Sequence, residues 1–362
     1  MIIAGTAIPL IPMSAINTPW LDFLAAQGGR FSASTTPEIR SFHDAPAPIT
    51  NFVAPLTHLG LISASGDDAA SFLHNQLTND VEKLGVGEAR LAGYCTPKGR
   101  LLATMLLWKS PDAIFLQLPR EIQPAVQKRL QMFILRARVK LADAGDAVVA
   151  LGLAGPAAAA ALAPWFPVPP AAPYGVVHTD AGALIRLQDA DEMPRFQWLV
   201  APETAQQAWP QLVQTLQPAG AAAWRLLDIR AAVPLVVQAT QEQFVPQMIN
   251  FEVLGGVNFR KGCYPGQEIV ARSQYLGKLK RRMLPAVVHA TGVVPGAEVY
   301  ASSDAAQPCG QIVNAEISGE QTHCLVELKT AVLEEGASIH LGSVDGPLLQ
   351  IGVLPYALTD PT

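Results

Sequence analysis

The feature that most constrains the fold is a run of strand-forming residues, broken by turn residues, between 89 and 119. The sequence ARLAGYCTPKGRLLATMLLWKSPDAIFLQLP places turn formers at 97–99 and 110–112, with apolar stretches between them. It predicts three antiparallel strands joined by tight turns. A helical period follows in REIQPAVQKRLQMFIL, so strands and helices mix without regular βαβ alternation. This mixture favours an α+β fold.

The organisation of the rest of the chain follows from where this mixture stops. A short helix is predicted in TPWLDFLAAQGG and a linker in SFHDAPAPITN, and further helices and a hairpin follow between 145 and 230. Beyond about residue 283, short strands alternate with glycine, proline, serine and aspartate, as in a small β-barrel. We therefore predict an N-terminal helix and linker that pack on the next part (1–50), two α+β subdomains (51–142 and 143–284) and a C-terminal antiparallel β-barrel (285–362).

Composition narrows the class of function. The 362 residues suffice for two or three domains, and half of them are hydrophobic. The net charge of −5 gives no basic footprint, so direct binding to nucleic acid is not expected. Four cysteines without C-x-x-C spacing fit neither a disulfide framework nor a zinc site. The start MIIAGTAIPLIPMSAI lacks the positive region of a secretory signal, and no apolar run is long enough to span a membrane, so we expect a soluble, cytoplasmic protein.

The stretch KGCYPGQEIVAR, residues 261–272, carries the most chemistry. Gly262 and Gly266 flank Cys263 and permit positive φ or close backbone approach, and a proline follows Tyr264. The thiol should therefore be displayed on a cramped turn. Lys261 would stabilise the thiolate if its ammonium folds back over the sulfur, and the thiolate is the nucleophile and metal ligand. The alternative is a tight turn whose cysteine is a small buried hydrophobe.

Upstream amides extend this candidate site. Gln247, Asn250 and Asn258 lie close to the paired glycines 255 and 256, a density of hydrogen-bonding groups that a ring-shaped polar ligand would use. Amides and glycines also populate ordinary loops, so this observation leaves both interpretations open.

Three segments together resemble one family. The pattern F-V-P-Q-M-I-N-F-E-x-x-G-G-V-x-F-x-K-G-C-Y-x-G-Q-E-I-V-A-R (244–272) is similar to the signature of the YgfZ folate-binding proteins, relatives of the glycine-cleavage T-protein. FLHNQLTNDV (72–81) and YCTPKGRLLATM (94–105) resemble two further segments of that family. The resemblance covers residues 45–285 and implies three domains around a tetrahydrofolate pocket.

The resemblance also implies a function and its residues. It implies a tetrahydrofolate-binding accessory protein for assembling or repairing iron–sulfur clusters, with tRNA-thiolating enzymes among the clients. Cys263 would be a transient ligand of a shared iron–sulfur cluster or a redox thiol, assisted by Lys261; because one cysteine cannot hold a cluster, an A-type iron–sulfur carrier would supply the other ligands. The cofactor-binding candidates are Asp80, Tyr94, Lys98, Arg230, Gln247, Asn250, Tyr264, Gly266, Gln267 and Glu268.

Departures from the T-protein branch bear on the runner-up function, folate-dependent aminomethyl transfer. The T-protein strand after the paired glycines carries acidic residues that serve the folate nitrogen, whereas this chain has Ala103 and Thr104. Losing such a general acid–base group removes a typical ~10²–10⁴-fold of rate. Arg230 stands where the T-protein has a pterin-contacting glutamate, and Pro265 replaces the threonine of some relatives. The sequence therefore favours an accessory factor over an aminomethyltransferase.

Other reactive or charged residues admit further hypotheses. A thiol enzyme would need a histidine base, but His58, His74 and His178 lie in no recognisable partner motif. Cys95 would be buried packing or, less favoured, a partner thiol of Cys263. The basic cluster Lys278, Lys280, Arg281 and Arg282 would be a solvated strand end or, less favoured, a site that attracts the polyglutamate tail of folate or an acidic partner.

Overall fold

The computed structural model describes residues 18–33, 38–42, 50–275 and 279–358. The expectations for residues 1–17, for most of the linker at 41–51 and for Lys278 lie outside these described residues. The described chain forms a five-stranded sheet, a six-stranded sheet and a closed barrel. None of the helices in the described ranges is both long enough and apolar enough to cross a bilayer.

The N-terminal elements pack on a different part from the one we expected. They are helix α1 (Thr18–Ala26) and strands β1 (Gly29–Phe31) and β2 (Ile39–Phe42). Trp20 and Leu24 of α1 are buried in the core of the six-stranded sheet, where the Trp20 ring meets the edge of Trp209 at 6.4 Å. The expectation that this helix covers the 51–142 subdomain is therefore wrong, because its large apolar side chains find their partners beyond residue 143.

The five-stranded sheet contains the three-stranded meander predicted from the turn residues. Strand β3 (Phe52–Pro55) precedes it, and the sheet has the order β5-β6-β7-β4-β8, with all neighbours antiparallel. Its strands are β4 (Leu59–Ser65), β5 (Ala89–Cys95), β6 (Leu101–Lys109), β7 (Ile114–Pro119) and β8 (Lys140–Asp143). Helix α2 (Ala69–His74) follows β4, and helix α3 (Gln123–Gln131) follows β7.

The start of α2 has no side-chain cap. Asp68 occupies the N-cap position without a side-chain cap bond. Its carboxylate oxygen Oδ2 instead accepts the backbone N–H of Arg138 at 2.7 Å. A tertiary contact has taken the capping group, and sequence spacing does not report such a contact.

The six-stranded sheet has the order β10-β11-β12-β9-β3-β13, so β3 belongs to it and not to the 51–142 subdomain. The strands after β3 are β9 (Val149–Ala154), β10 (Val176–Thr179), β11 (Gly182–Arg186), β12 (Arg195–Val200) and β13 (Gln217–Pro218). The helices are α4 (Ala158–Leu162), α5 (Pro202–Leu212) and α6 (Ala221–Arg230). The predicted hairpin of β11 and β12 is confirmed.

Irregular chain connects α6 to the motif. It contains the 3₁₀ turns Gln238–Thr240 and Pro246–Ile249. The end of the motif forms helix α7 (Gln267–Tyr275), in which Val270 is the buried residue. The motif therefore ends as a helix lying on the surface.

The predicted C-terminal antiparallel barrel is confirmed. Its closed strand order is β14-β17-β16-β15-β18-β19. The elements are β14 (Arg281–Val288), β15 (Glu298–Ala301), β16 (Gly310–Ser318), β17 (Gln321–Lys329), α8 (Thr330–Glu334), β18 (Ile339–Leu341) and β19 (Leu348–Ile351). Because β14 begins at Arg281, the barrel includes residues that we had placed before 285.

Buried side chains join the three parts. One core cluster includes residues of both sheets, of α6 and of the motif, among them Trp224, Phe244 and Val270. Gln197 of one sheet donates to Gln117 of the other at 2.7 Å in the buried interface. This buried contact joins the two sheets, and the narrow cavity described below lies between them.

Candidate functional site

Cys263 is exposed on a tight turn, here called the Cys263 turn (residues 261–266), that leads into α7. Gly266 has φ +83°, and a Cβ there would lie 2.4 Å from the carbonyl oxygen of Thr96 and 2.7 Å from the Cα of Gly99. The Cys263 turn therefore rests on the β5–β6 hairpin turn, which carries the exposed Lys98. Only glycine fits both the conformation and the approach.

Lys261 anchors the turn from below. Its buried ammonium donates to the carbonyl oxygens of His74 and, at 2.9 Å, Leu77, and lies 4.8 Å from the centre of the Tyr264 ring. Burial lowers the pKa of Lys261 to about 8, although Asp80 and Cys263 favour its charged form. The amine thus fastens the turn to the end of α2, and its hydrogen bonds go to backbone oxygens.

An acid–imidazole pair lies behind the turn. Nδ1 of His74 is 3.2 Å from Oδ1 of Asp80, and a Cβ on Gly262 would lie 3.5 Å from Nε2 of the same ring. Burial by itself would raise the pKa of Asp80, but the Lys83 N–H bond and the nearby His74, Lys83 and Arg90 charges outweigh it and lower that pKa. A carboxylate is therefore held ionised close beneath the displayed thiol.

A cavity of about 460 Å³, here called the motif-side cavity, opens next to this turn. Its position follows from Arg260, which lines it and directly precedes Lys261. Its size falls within the roughly 300–1,000 Å³ typical of small-molecule sites. Its lining residues are Asn79, Asp80, Lys83, Ala89, Arg90, Leu91, Tyr174, Leu254, Gly255, Asn258 and Arg260.

The polar groups of this cavity are partly committed to the protein. Asn79 donates to the carbonyls of Leu91 and Gly255, each at 2.7 Å, which holds the cavity wall in place. Lys83 and Arg260 are exposed at the rim. Neither cation was among the candidates from the sequence, although Lys83 follows the T-N-D-V segment and Arg260 precedes the motif lysine.

Two further cavities are related to the motif-side cavity through shared lining residues. A narrow cavity of about 60 Å³ between the sheets shares Leu91 and Tyr174 with it. A third cavity of about 650 Å³, where both α+β parts meet the barrel, shares Asp228, Val233 and Leu235 with the narrow one. The narrow cavity, here called the waist, therefore shares lining residues with each of the two larger ones.

The waist lacks an acidic group from the hairpin strand. Ala103 is fully buried, and the Thr104 hydroxyl donates to the Pro234 carbonyl at 3.2 Å and accepts the Val236 N–H at 3.0 Å. The nearby acid is Asp228, whose pKa is raised by burial although Arg195, at 2.7 Å, opposes that shift. The Thr104 hydroxyl thus has a structural task at the waist.

Four predicted ligand residues have protein partners instead. Tyr94 is buried in the core of the five-stranded sheet. Gln247 donates to the backbone of α7 and Asn250 to the backbone of β14, each at 2.8 Å. Arg230 pairs with Asp191 at 3.4 Å. These contacts position the motif and the barrel, and we leave the four side chains out of the proposed ligand site.

The remaining motif residues surround the thiol. Gln267 is the first residue of α7, and Glu268 is exposed in its first turn. Tyr264 is buried, which raises its pKa, and the neighbouring Cys95 thiol acts in the same direction. Burial raises the pKa of Cys95 to about 12, so this thiol stays protonated. The packing role expected for Cys95 is confirmed, and Cys263 alone among the four cysteines is exposed.

Two other sequence candidates resolve into structural contacts. In the basic cluster, Arg281 pairs with Glu327 at 2.7 Å and Arg282 pairs with Glu252 at 2.5 Å. Both guanidinium groups thus face internal carboxylates and are poor candidates for an external polyglutamate.

The histidines are dispersed. The His58 ring lines the 650 Å³ cavity, and burial, with Arg225 and Arg120, lowers its pKa well below the usual value. His178 contacts the carbonyl oxygen of Val86 at 2.9 Å. Of the three histidines considered, His74 is the one that lies at the Cys263 turn.

Comparison with known proteins gives the lineage. A family model described as the GCVT N-terminal domain matches residues 52–181. The tRNA-modifying protein YgfZ of Klebsiella pneumoniae (strain 342) is 32% identical over 302 residues, which cover 83% of this chain and 91% of that protein. The chain belongs to the YgfZ family. A second YgfZ, from Enterobacter sp. (strain 638), is 29% identical over 324 residues, covering 86% of this chain and 97% of its own length.

The fold of this YgfZ-family chain is also that of a T-protein. The glycine cleavage aminomethyltransferase T of Bartonella henselae superposes with a TM-score of 0.75 and 17% identity, over 93% of this chain and 96% of that one. At this identity the match shows the shared fold, and the function has to be argued from the site.

Proposed function

We propose that this YgfZ-family chain binds tetrahydrofolate in the motif-side cavity and acts as an accessory protein in assembling or repairing the iron–sulfur clusters of client enzymes. The observation that carries the proposal is an exposed thiol, Cys263, three residues after Arg260, which lines a cavity of about 460 Å³ together with amides, a carboxylate and other cations. The name "tRNA-modifying protein" of the curated relatives supports clients that act on tRNA.

The chemistry of the cavity fits a folate. A pterin edge presents adjacent hydrogen-bond donors and acceptors, which the side chains of Asn258 and Asp80 complement. The rings of the folate would pack against the apolar walls of the cavity, which are formed by Leu91, Leu254 and the Tyr174 ring. Tetrahydrofolate supplies a reduced pterin when bound. The chain's own contribution is to orient it beside the Cys263 turn.

The rim cations suit the glutamate end of the ligand. Lys83 and Arg260 are exposed where the cavity opens, and Lys83 lies 3.7 Å from the Asp80 carboxylate at the cavity wall, whereas Arg281 and Arg282 face internal carboxylates at 2.7 and 2.5 Å. A γ-linked glutamate tail carries one carboxylate per residue, so two rim cations would favour the polyglutamylated form. This placement moves the tail from the basic cluster to the cavity rim.

We propose that Cys263 binds an iron–sulfur cluster that is on its way to a client enzyme. Thiolate is the ligand that iron–sulfur clusters use, and a single cysteine leaves most of the ligand positions to another protein. Among the described residues, no group of three or more histidine, cysteine or acidic side chains is arranged to hold a metal. A partner, proposed to be an A-type carrier, therefore supplies the other ligands, and the exposed turn lets both proteins reach one cluster.

Titration with tetrahydrofolate tests the proposal. Mono- and triglutamate forms are titrated by calorimetry into wild type, Cys263→Ser and the double variant Lys83→Ala/Arg260→Ala. We expect Cys263→Ser to bind both forms as wild type does. We expect the double variant to lose about tenfold on the triglutamate and less on the monoglutamate. If the double variant binds the mono- and the triglutamate form as tightly as wild type does, folate binding at this rim is refuted.

A further inference from the structure

A second surface, distant in sequence from the motif, carries an unusual charge. Residues 122–142 contain no aspartate or glutamate, although the chain as a whole has a net charge of −5. Positive side chains are concentrated in the part 128–140, which we call the α3 shoulder. They are Lys128, Arg129, Arg136, Arg138 and Lys140.

The same shoulder exposes large apolar side chains. Met132 is 63% exposed, Phe133 46% and Leu135 88%, all within one turn of chain at the end of α3. Single exposed hydrophobics are ordinary, but a contiguous group rimmed by charge marks an interaction site. The shoulder combines both features.

The shoulder is attached to the five-stranded sheet at several points. Ile134 and Val139 pack against the core of the five-stranded sheet while the residues between and before them point outward. The backbone N–H of Arg138 donates to Asp68 at 2.7 Å. A Cβ on Gly66 would lie 2.2 Å from the Arg138 carbonyl oxygen, so the shoulder and this glycine are in direct contact. A preformed surface loses little entropy on binding.

Part of the positive charge is available to a partner. Arg138 pairs with Asp67 at 2.8 Å, and Arg129 bonds to Tyr94. Lys128, Arg136 and Lys140 are exposed. Within the described part of the chain, no salt bridge involves these three cations, so their charges face outward.

We propose that the α3 shoulder docks an acidic protein partner, an iron–sulfur client enzyme that thiolates tRNA, with the apolar side chains at the centre of the interface and the cations at its rim. The client's identity rests on the proposed function. Depletion of acidic residues, an apolar centre and a charged rim are how transient protein interfaces are built.

Two other occupants fit the shoulder less well. RNA interfaces are polar and use several aromatic rings to stack bases, whereas the shoulder exposes a single aromatic ring, Phe133, between the non-aromatic side chains of Met132 and Leu135. A helix that lies on a membrane offers its own apolar face, but the apolar residues Val126 and Leu130 of α3 are buried against the sheet. A protein surface accommodates three protruding apolar groups without either difficulty.

Biolayer interferometry on a purified tRNA-thiolating iron–sulfur enzyme from the same organism tests the docking. The variants are Phe133→Asp/Leu135→Asp, Lys128→Glu/Arg136→Glu and the control Val168→Asp, whose side chain is 77% exposed on another part of the surface. We expect both double variants to weaken binding at least tenfold and the control and Cys263→Ser to bind as wild type. Wild-type binding should also fall steeply from 50 to 300 mM salt.

Several outcomes would overturn the docking proposal. The first is that wild type does not bind the enzyme, and the second is that all variants bind it equally well. The third is that wild type binds unmodified tRNA, or vesicles with 30% phosphatidylglycerol, and that the same double variants lose this binding. Lost binding to tRNA would assign the shoulder to RNA, and lost binding to vesicles would assign it to a membrane. Folate titration of the same double variants separates the two proposals, because it should match wild type even if docking fails.

Discussion

Gly266→Ala is the substitution that most directly tests how the Cys263 turn is built. At φ +83° an alanine is strained by about 1–2 kcal/mol. Its Cβ would also lie 2.4 Å from the Thr96 carbonyl oxygen, where backbone has to shift, and overpacking of this kind costs a further ~1–3 kcal/mol. We therefore expect a loss of about 2–5 kcal/mol in the free energy of unfolding.

Gly255→Ala is the matched control for this experiment. Gly255 has φ +76°, but nothing lies within 4 Å of a Cβ at that position, so only the conformational strain of about 1–2 kcal/mol remains. Urea unfolding followed by tryptophan fluorescence gives both values, provided the m-values of the variants agree. If Gly266→Ala and Gly255→Ala unfold at the same urea concentration, the packing of the turn on the hairpin is refuted.

Three further predictions concern titratable groups of the same region. Because Cys95, Cys309 and Cys324 are buried, we expect one rapidly labelled thiol in the native protein at pH 8 and none in Cys263→Ser; a second fast thiol would contradict the assignment. Burial lowers the pKa of Lys261 to about 8, so the charged amine destabilises the fold below that pH. This destabilisation disappears as the pH rises from about 8 toward the pKa of the lysine in the unfolded chain. Wild type should therefore gain stability relative to Lys261→Met between pH 7 and 9.5, by at most about 1.4 kcal/mol per pH unit, and a constant difference in urea unfolding would rule this out. Because the pKa of Asp80 is lower in the folded protein than in the unfolded chain, its carboxylate stabilises the fold at pH values above the pKa of the unfolded chain. Asp80→Asn should therefore lower the free energy of unfolding by about 1–3 kcal/mol at pH 7. That difference should shrink as the pH falls through the folded pKa, and an undiminished difference at pH 3 would show that the carboxylate charge is irrelevant.

Local pattern was sufficient for the elements and for the displayed thiol. The meander of β5, β6 and β7 and the hairpin of β11 and β12 are joined by short turns, so their residues and pairing are encoded close together. Likewise, the glycines and the proline around Cys263 already indicated a turn that keeps the sulfur outside the core.

The sequence did not predict which strands that are distant along the chain pair with one another. Strand β3 looked like the start of the first subdomain, but its partners β9 and β13 lie about 100 and 165 residues further on. The N-terminal helix found its tryptophan partner in α5 for the same reason. Nothing in a short apolar segment specifies which of two sheets it joins.

The candidate site shows the same division. The motif residues were found by pattern, whereas the contacts of Lys261 with the end of α2 and of Gly266 with Gly99 connect segments well over 100 residues apart. Gln247 and Asn250 have amide groups that suit a ligand, but the fold uses them to fix α7 and β14. Whether an amide meets a ligand or the backbone depends on packing that a single sequence does not display.

The most direct test of the account is cluster formation with a partner. Wild type and Cys263→Ser are each mixed with an A-type carrier, iron, sulfide and tetrahydrofolate, and the visible absorbance of the cluster is followed together with client reactivation. We predict that Cys263→Ser binds folate normally but gives less cluster absorbance and little reactivation. Equal absorbance and equal reactivation for the two proteins would contradict a cluster role for this thiol.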